Sequence, residues 1–494
     1  MKFLKKEKST NNLIIGIIYQ IVSIAFGLLL PYLFITELGS ETNGLINSVG
    51  QVFTCLSLLE AGIAVTTIQA LYKPLAVENR ESINAILSAT HAYYKRIAVL
   101  YTVALALLMV VYPYCIDTKI DHLTIRLVIF FQGAGSILGY LLQSKYTMLL
   151  KAEGKYYILH ILSLLALVLR NFGKIWAIKK GYGIDAVQAV HFLTIVIEAI
   201  IILVYMRRKY KWLNVKTAPD FQAISQRNQV FIQSLSWMIF NHTDIIVLTL
   251  FSRNLALVSV YSVYTLFFEV GQNVIDTIRT SYQYKLGLIY QDGQTKFDSY
   301  FKKYSTIIIT VNFVVFTVLY LTAKPFVSIY TKGIQDIDYI IVGVPELFLA
   351  YKLIYGIRMM NRQIIDVNGD YKRTSYIAII EMIINLSVSV VLVIKYGILG
   401  VLIGTVVALI FSNIAYWYHL GKYAVPKSIN KEIIIIGIYM IPFVLLLWAG
   451  KNLTLFPVNS WFTLCAYACI VGIASVFVYG VLLITNVWLT SRKK

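Results

Sequence analysis

Long apolar runs separated by short, polar, mostly basic loops recur along the whole chain. Fourteen runs stand out, at about 12–37, 43–71, 97–116, 123–149, 156–178, 186–207, 228–252, 257–289, 304–323, 338–360, 373–395, 398–419, 431–449 and 460–488. An α-helix needs roughly 20 residues to cross a bilayer, whereas a barrel strand needs only about 9–11 alternating ones. The run lengths therefore predict an all-α polytopic membrane protein with fourteen transmembrane helices, or twelve without the final pair. The first run exceeds the roughly 7–15 apolar residues of a cleavable leader, so it is expected to remain as a span.

Composition narrows the class further. Of the 494 residues, 58% are hydrophobic and 14% charged, against about 25% charged in an ordinary soluble domain. A sizeable soluble domain is excluded. Lys and Arg number 44 against 24 Asp and Glu, a net charge of +20. These charges sit in short loops rather than a basic stripe, which points away from nucleic acid and toward a membrane face. Alternate loops, counted from the N-terminus, hold about three times as many Lys and Arg as the others, so both termini are expected to be cytoplasmic. Cys55, Cys115, Cys465 and Cys469 fall in or beside spans, and no Cys or His completes a ligand set. No metal or cofactor is expected. No GxxxxGK[ST] phosphate loop is present either, which leaves nucleotide-driven transport without its motif.

Local features repeat at an offset of about 214 residues. Asn12 and Asn228 introduce the first and seventh spans. Tyr72-Lys73 and Tyr284-Lys285 close the second and eighth. Tyr182-Gly183-Ile184 recurs as Tyr396-Gly397-Ile398. Six spans return the chain to one side, so the prediction is two six-helix lobes related as parallel repeats around a central cavity, an arrangement known in transporters. The expected map is a basic cytoplasmic tail (1–11), an N-lobe (12–207), a cytoplasmic linker (208–227), a C-lobe (228–419) and two extra spans with a basic tail (420–494).

Polar groups facing lipid are costly, so those inside spans mark protein or water. In the eighth span Ser262, Thr265, Glu269, Gln272, Asp276, Arg279 and Gln283 alternate at three and four residues, one stripe of a helix. Such a stripe either bonds neighbouring helices or lines a hydrated cavity, and its three ionisable members favour the cavity. The fifth span repeats the pattern with His160, Ser163, Leu167, Arg170 and Lys174. Arg170 is too deep to snorkel easily, and a guanidinium suits bidentate phosphate contact. Lys352, Arg358 and Arg362 add cations in the tenth span. Glu60, Asp244, Glu346, Glu381 and Glu198 are acids read as buried, each either paired with a cation or able to carry an ion; Glu60, Asp244, Asp276 and Glu381 are the candidates for ion coupling. Gly135/Gly139 and Gly400/Gly404 are small-residue pairs expected to let helices approach closely.

The segments NGLINSVG (Asn43–Gly50), LLEAGI (Leu58–Ile63), YKPLA (Tyr72–Ala76), NHTDIIVL (Asn241–Leu248), SVYSVY (Ser259–Tyr264) and YGILGVLIGT (Tyr396–Thr405) resemble those of Wzx/PST-type polysaccharide flippases, of the multidrug/oligosaccharidyl-lipid/polysaccharide (MOP) exporter superfamily. The resemblance implies a V-shaped pair of lobes around a cationic cavity, in a bacterial cytoplasmic (inner) membrane. It further implies transport of an undecaprenyl-diphosphate-linked oligosaccharide, such as an O-antigen, lipopolysaccharide or capsule repeat unit, from inner to outer leaflet by alternating access. Coupling would be to H⁺ or Na⁺ antiport, and a polysaccharide polymerase would be a partner. Arg170, Lys174, Glu269, Gln272, Arg279, Lys352 and Arg358 are the expected substrate-binding residues; no residue is expected to be catalytic. The related lipid II flippases carry a basic residue deep in their first helix, whereas no Lys or Arg lies between Asn12 and Pro31 here. Two alternatives remain: a MATE-like multidrug/cation antiporter, disfavoured by the deep Arg170, and a membrane-embedded polysaccharide polymerase or acyltransferase, disfavoured by the short outside loops.

Overall fold

The computed structural model describes residues 2–60, 63–224, 242–291, 293–368, 370–423, 429–452 and 456–491. Among these, eleven helices are long and apolar enough to cross a membrane. They coincide with eleven of the fourteen predicted runs. The second, seventh and tenth runs differ, each for its own reason.

The second run is broken into α2 (Ser40–Leu56), a 3₁₀ turn (Ser57–Glu60) and α3 (Ile63–Ala76), with α1 (Lys2–Leu38) before it. Of the seventh, the described part is α9 (His242–Ser252), too short to span alone; Asn228 through Asn241 lie outside the described residues. The tenth is α12 (Val344–Asn368), a full-length helix that is more polar than those eleven. The other helices of the first part are α4 (Arg80–Cys115), α5 (His122–Leu138), α6 (Ser144–Ala152), α7 (Tyr156–Lys179) and α8 (Ile184–Lys209). After α9 come α10 (Leu255–Gln291), α11 (Gln294–Tyr330), α13 (Tyr371–Tyr396), α14 (Ile398–Tyr423), α15 (Ile429–Asn452) and α16 (Trp461–Ser491). Local sequence starts several of them: Asn79 Oδ1 accepts the Ser82 N–H (3.0 Å) ahead of α4, and Asp121 Oδ2 accepts the Leu123 N–H (3.0 Å) ahead of α5.

The chain divides into two compact units, residues 1–259 and 260–494. The break falls inside α10, not in the predicted linker at 208–227. Side-chain and backbone bonds tie α9 and the first turn of α10 to the first unit: Asn43 Nδ2 donates to Ser259 Oγ (2.8 Å), and the Asp117 N–H donates to the Arg253 carbonyl (3.0 Å). The described part of that linker, 208–224, packs on the rest of the first unit. Ser88 Oγ donates to the Thr217 carbonyl (2.7 Å), the Asp220 N–H to the Ala85 carbonyl (3.1 Å), and Ile224 is fully buried among Leu71, Ile83 and Leu149. At its start the Tyr210 hydroxyl donates to the Glu153 carboxylate, which Lys155 also meets. Burial, with Glu153 beside it, pushes the Tyr210 phenol above its ordinary value, so it stays a donor.

In the first unit a core of Leu45, Val49, Tyr94, Tyr101, Ile125 and Val187 is shared by α2, α4, α5 and α8. In the second, α13 packs on α14, α14 on α12, and α11 on α15 and α16. Large apolar side chains such as Val103, Leu107, Phe172, Ile394 and Phe477 remain exposed, as a bilayer-facing surface requires.

Close helix approach depends on particular glycines. A Cβ on Gly400 would stand 2.4 Å from the Leu392 carbonyl, and one on Gly404 2.2 Å from Ser389 Oγ, so this pair does bring α14 against α13. The Gly135/Gly139 pair does not act as predicted. Gly135 meets the tip of Ile195, but nothing lies within 4 Å of a Cβ on Gly139, which instead opens a π-helical turn over Gly139–Gln143. The tightest contact is at Gly44, where a Cβ would sit 1.8 Å from the Leu255 carbonyl oxygen. Backbone cannot swing aside as a side chain can. Gly44→Ala is therefore expected to destabilise the first unit by about 1–3 kcal/mol, read as a lowered melting temperature in detergent, while Gly139→Ala leaves it nearly unchanged.

Candidate substrate and ion sites

In the first unit the cations meet on α7. Arg170 and Lys174 are one helical turn apart and share a face; Arg170 is half-buried and Lys174 only 8% exposed. Glu198 of α8 and Tyr19 of α1 lie within electrostatic reach of Arg170, and Ser163 is placed to hydrogen-bond Glu198. His191 of α8 faces both cations. The Lys174 ammonium lies 6.0 Å from the centre of the Phe34 ring. On the same side of α7, Leu167 and Asn171 line an open cavity of about 270 Å³ bordered by Gly27 and Pro31 of α1 and by Asn43 and Asn47 of α2. The NGLINSVG segment thus supplies amide groups to a pocket whose neighbouring charges are mainly positive. Such a pocket can hold an anion.

Two predicted acids also lie in this unit. Glu60 ends the 3₁₀ turn and faces the phenols of Tyr94 and Tyr140, with Lys151 as a nearby cation. Tyr140 belongs to the π turn, and its ring lies 5.8 Å from that of Tyr94 and 5.5 Å from that of Tyr101. A broken helix opposite a π turn is the kind of irregularity that often marks functional sites. Asp244, 5% exposed, sits on α9. α9 is bonded to α2 by Thr249 Oγ1, which donates to Ser48 Oγ (2.7 Å), and by His242 Nδ1, which pairs with Gln51 Oε1 (2.8 Å); Tyr112 of α4 donates to the same Ser48 Oγ (2.7 Å).

In the second unit the α10 stripe is bonded from Gln272 to Arg279 and exposed at Glu269 and Gln283. Gln272 Nε2 donates to Asp276 Oδ2 (3.3 Å), and Arg279 Nε donates to Asp276 Oδ1 (3.0 Å). Lys352 of α12, itself buried, reaches Glu269 at 3.7 Å, and 55% of the Glu269 side chain remains exposed. Gln283 is exposed. Gln363 then closes the lower part, donating to the Arg279 carbonyl (2.9 Å) and accepting from Tyr304.

The polarity of α12 is explained by two covered faces. Lys352 and Gln363 are eleven residues apart, three full turns, and bind α10 and α11. Arg358 and Asn361 face the other way. Arg358 pairs with Glu381 of α13, both essentially fully buried, and Ser412 Oγ of α14 donates to the second Glu381 oxygen (2.9 Å). Asn361 Nδ2 donates to Asn413 of α14 (3.3 Å). Arg358 and Glu381 thus meet one another.

Sequence reasoning passed over Gln363, Tyr304, His191, Tyr94 and Tyr140. Only Gln363 carried a legible signal, its eleven-residue spacing from Lys352. Glu346 is corrected: it is exposed in the first turn of α12, because that helix starts at Val344 rather than 338.

No family model and no curated relative matches the chain. Solved structures do. The fold aligns with a lipid II flippase, MurJ, in an inward closed conformation, at a TM-score of 0.71 and 14% identity over 95% of this chain and 99% of that one. The fold is similar to that of this flippase. A MATE-family multidrug transporter of the MOP superfamily, inward-facing, matches at a TM-score of 0.63 and 15% identity over 87% and 95% of the two chains. A MATE structure in a bent conformation matches at 0.55 and 14% over 90% and 97%. At these identities the likeness concerns the fold, an all-helical one carried through both units.

Proposed function

We propose that the chain is a MOP-type transporter that moves a polyprenyl-diphosphate-linked oligosaccharide from the inner to the outer leaflet of a bacterial cytoplasmic membrane by alternating access. The observation that carries this reading is the Arg170/Lys174 pair beside an amide-lined cavity within a membrane-embedded helix. Two cations one turn apart, with the Glu198 carboxylate near Arg170, leave positive charge that a diphosphate would neutralise. In the second unit Lys352 and Arg279 would serve an acidic sugar, with Glu269 and Gln272 as hydrogen-bonding partners for sugar hydroxyls. A cationic drug would meet repulsion at Arg170 and Lys174, which disfavours the multidrug alternative. Mass spectrometry of lipids co-purified from the native host tests the reading: a polyprenyl-diphosphate oligosaccharide is the expected species, and its consistent absence beside bound organic cations would reverse the preference.

Asp244 of α9 and Glu60, which faces the phenols of Tyr94 and Tyr140, are the acids of the first unit assigned to ion coupling. In proteoliposomes, flux is expected to fall at least about tenfold when both the proton and Na⁺ gradients are collapsed, about 1.4 kcal/mol of drive. Asp244→Asn is expected to lower the flux similarly and to leave the remainder insensitive to the gradient. Equal flux with and without gradients would remove the coupling role.

A further inference from the structure

The second unit holds a larger cavity than the one beside Arg170, and the transport reading makes no use of it. The end of α11, the start of α12, the end of α15 and the start of α16 converge, as their chain directions require, and leave a half-open space of about 990 Å³. That is the upper range of small-molecule sites. Leu321, Ile341, Val342 and Phe456 give it apolar walls, and Lys324 and Glu346 place one positive and one negative side chain in its lining. Tyr320 donates to Glu346 Oε1 (2.8 Å) and so fixes that carboxylate at the wall. Both charged residues are exposed.

The level in the membrane is set by the neighbouring aromatics. Trp461, at the first position of α16, packs edge-on against Phe326 (5.8 Å) and Tyr330 (6.5 Å) of α11, and is half exposed, as is Phe462 more fully. Trp and Tyr gathered at helix ends mark the boundary between hydrocarbon and headgroups. An occupant at that level meets apolar walls, one ammonium and one carboxylate. An anionic headgroup would pair with Lys324 but be repelled by Glu346. A zwitterionic one satisfies both.

We propose that this cavity binds phosphatidylethanolamine, with Lys324 taking the lipid phosphate and Glu346 its ammonium. The site is separate from the residues assigned to the transported substrate, and its test reads lipid retention, not transport, so either reading can fail without the other.

The full-length protein is exchanged into micelles holding equal phosphatidylethanolamine and phosphatidylglycerol, and retained lipid is counted by native mass spectrometry. Wild type is expected to retain the ethanolamine lipid about tenfold over the glycerol lipid. Glu346→Gln keeps the bond from Tyr320 but loses the charge, and is expected to reverse the preference toward the glycerol lipid. Lys324→Gln is expected to lower retention of both about fivefold, and Ser328→Trp, which fills the cavity from an exposed wall position, to abolish it. Inorganic phosphate added to the micelles is expected to leave retention unchanged; displacement by it would mean a free-anion site and overturn the lipid assignment. Equal retention of the two lipids in wild type, or a preference that survives both charge variants at an unchanged melting temperature, would also overturn it.

Discussion

Arg170→Ala is expected to abolish surface polysaccharide, with flipping reduced about 100-fold and protein abundance largely kept. Two charge-assisted hydrogen bonds to a phosphate, at about 1.5 kcal/mol each, supply the roughly 3 kcal/mol this requires. The walls of the neighbouring cavity come from α1, α2 and Leu167 and Asn171 of α7, so truncating Arg170 leaves that lining intact. Removing it leaves Glu198 without its nearby guanidinium, which is a route to lost stability. The pair Arg170→Ala/Glu198→Gln separates the two effects: abundance is expected to recover fully, transport to stay low. Arg170→Lys keeps the charge but not the planar fork, and an intermediate loss of about tenfold is expected. A surface-polysaccharide assay alongside quantitative immunoblotting checks all three. Normal polysaccharide in Arg170→Ala would take this residue out of the site.

Arg358→Ala is expected to act differently, through folding. It would strand the Glu381 carboxylate between α12, α13 and α14, where among the described residues only Ser412 still donates to it. Breaking a buried pair in this way costs about 3–5 kcal/mol, whereas replacing both members by apolar residues of similar volume is often neutral. The single variants Arg358→Ala and Glu381→Ala should therefore lose most of their abundance, and Arg358→Met/Glu381→Leu should regain the wild-type melting temperature. Transport by that double variant then decides the roles expected from sequence. Full activity would make the pair a clasp between helices; lost activity at normal stability would make it part of substrate binding or coupling.

Much of the candidate chemistry was legible because helices translate spacing into faces. The 3-4 spacing from Ser262 to Gln283 placed Glu269, Gln272, Asp276 and Arg279 on one side of α10, and Lys352 and Gln363 meet that side. The same spacing put Arg170, Lys174 and Ser163 together on α7. Partners on other helices were not legible. Nothing in the order of residues says that Glu381 faces Arg358, that Tyr94 and Tyr140 face Glu60, or that His191 faces Lys174. Glu346 was misplaced for a local reason: a few residues of error at a helix start move a side chain from mid-span to the boundary.

What the amino-acid order determined by itself was the helical, membrane-embedded class and the face on which each polar group lies, because apolar run length and helical period are properties of a single segment. Which polar groups satisfy one another, where α2 stops being a regular helix, and which glycines bring backbones into contact were decided only by tertiary packing. A polar side chain inside a bilayer must find a partner, but several helices offer one. The choice among them depends on interhelical distances of a few ångströms, such as the approach of Gly44 to Leu255, that no one segment encodes.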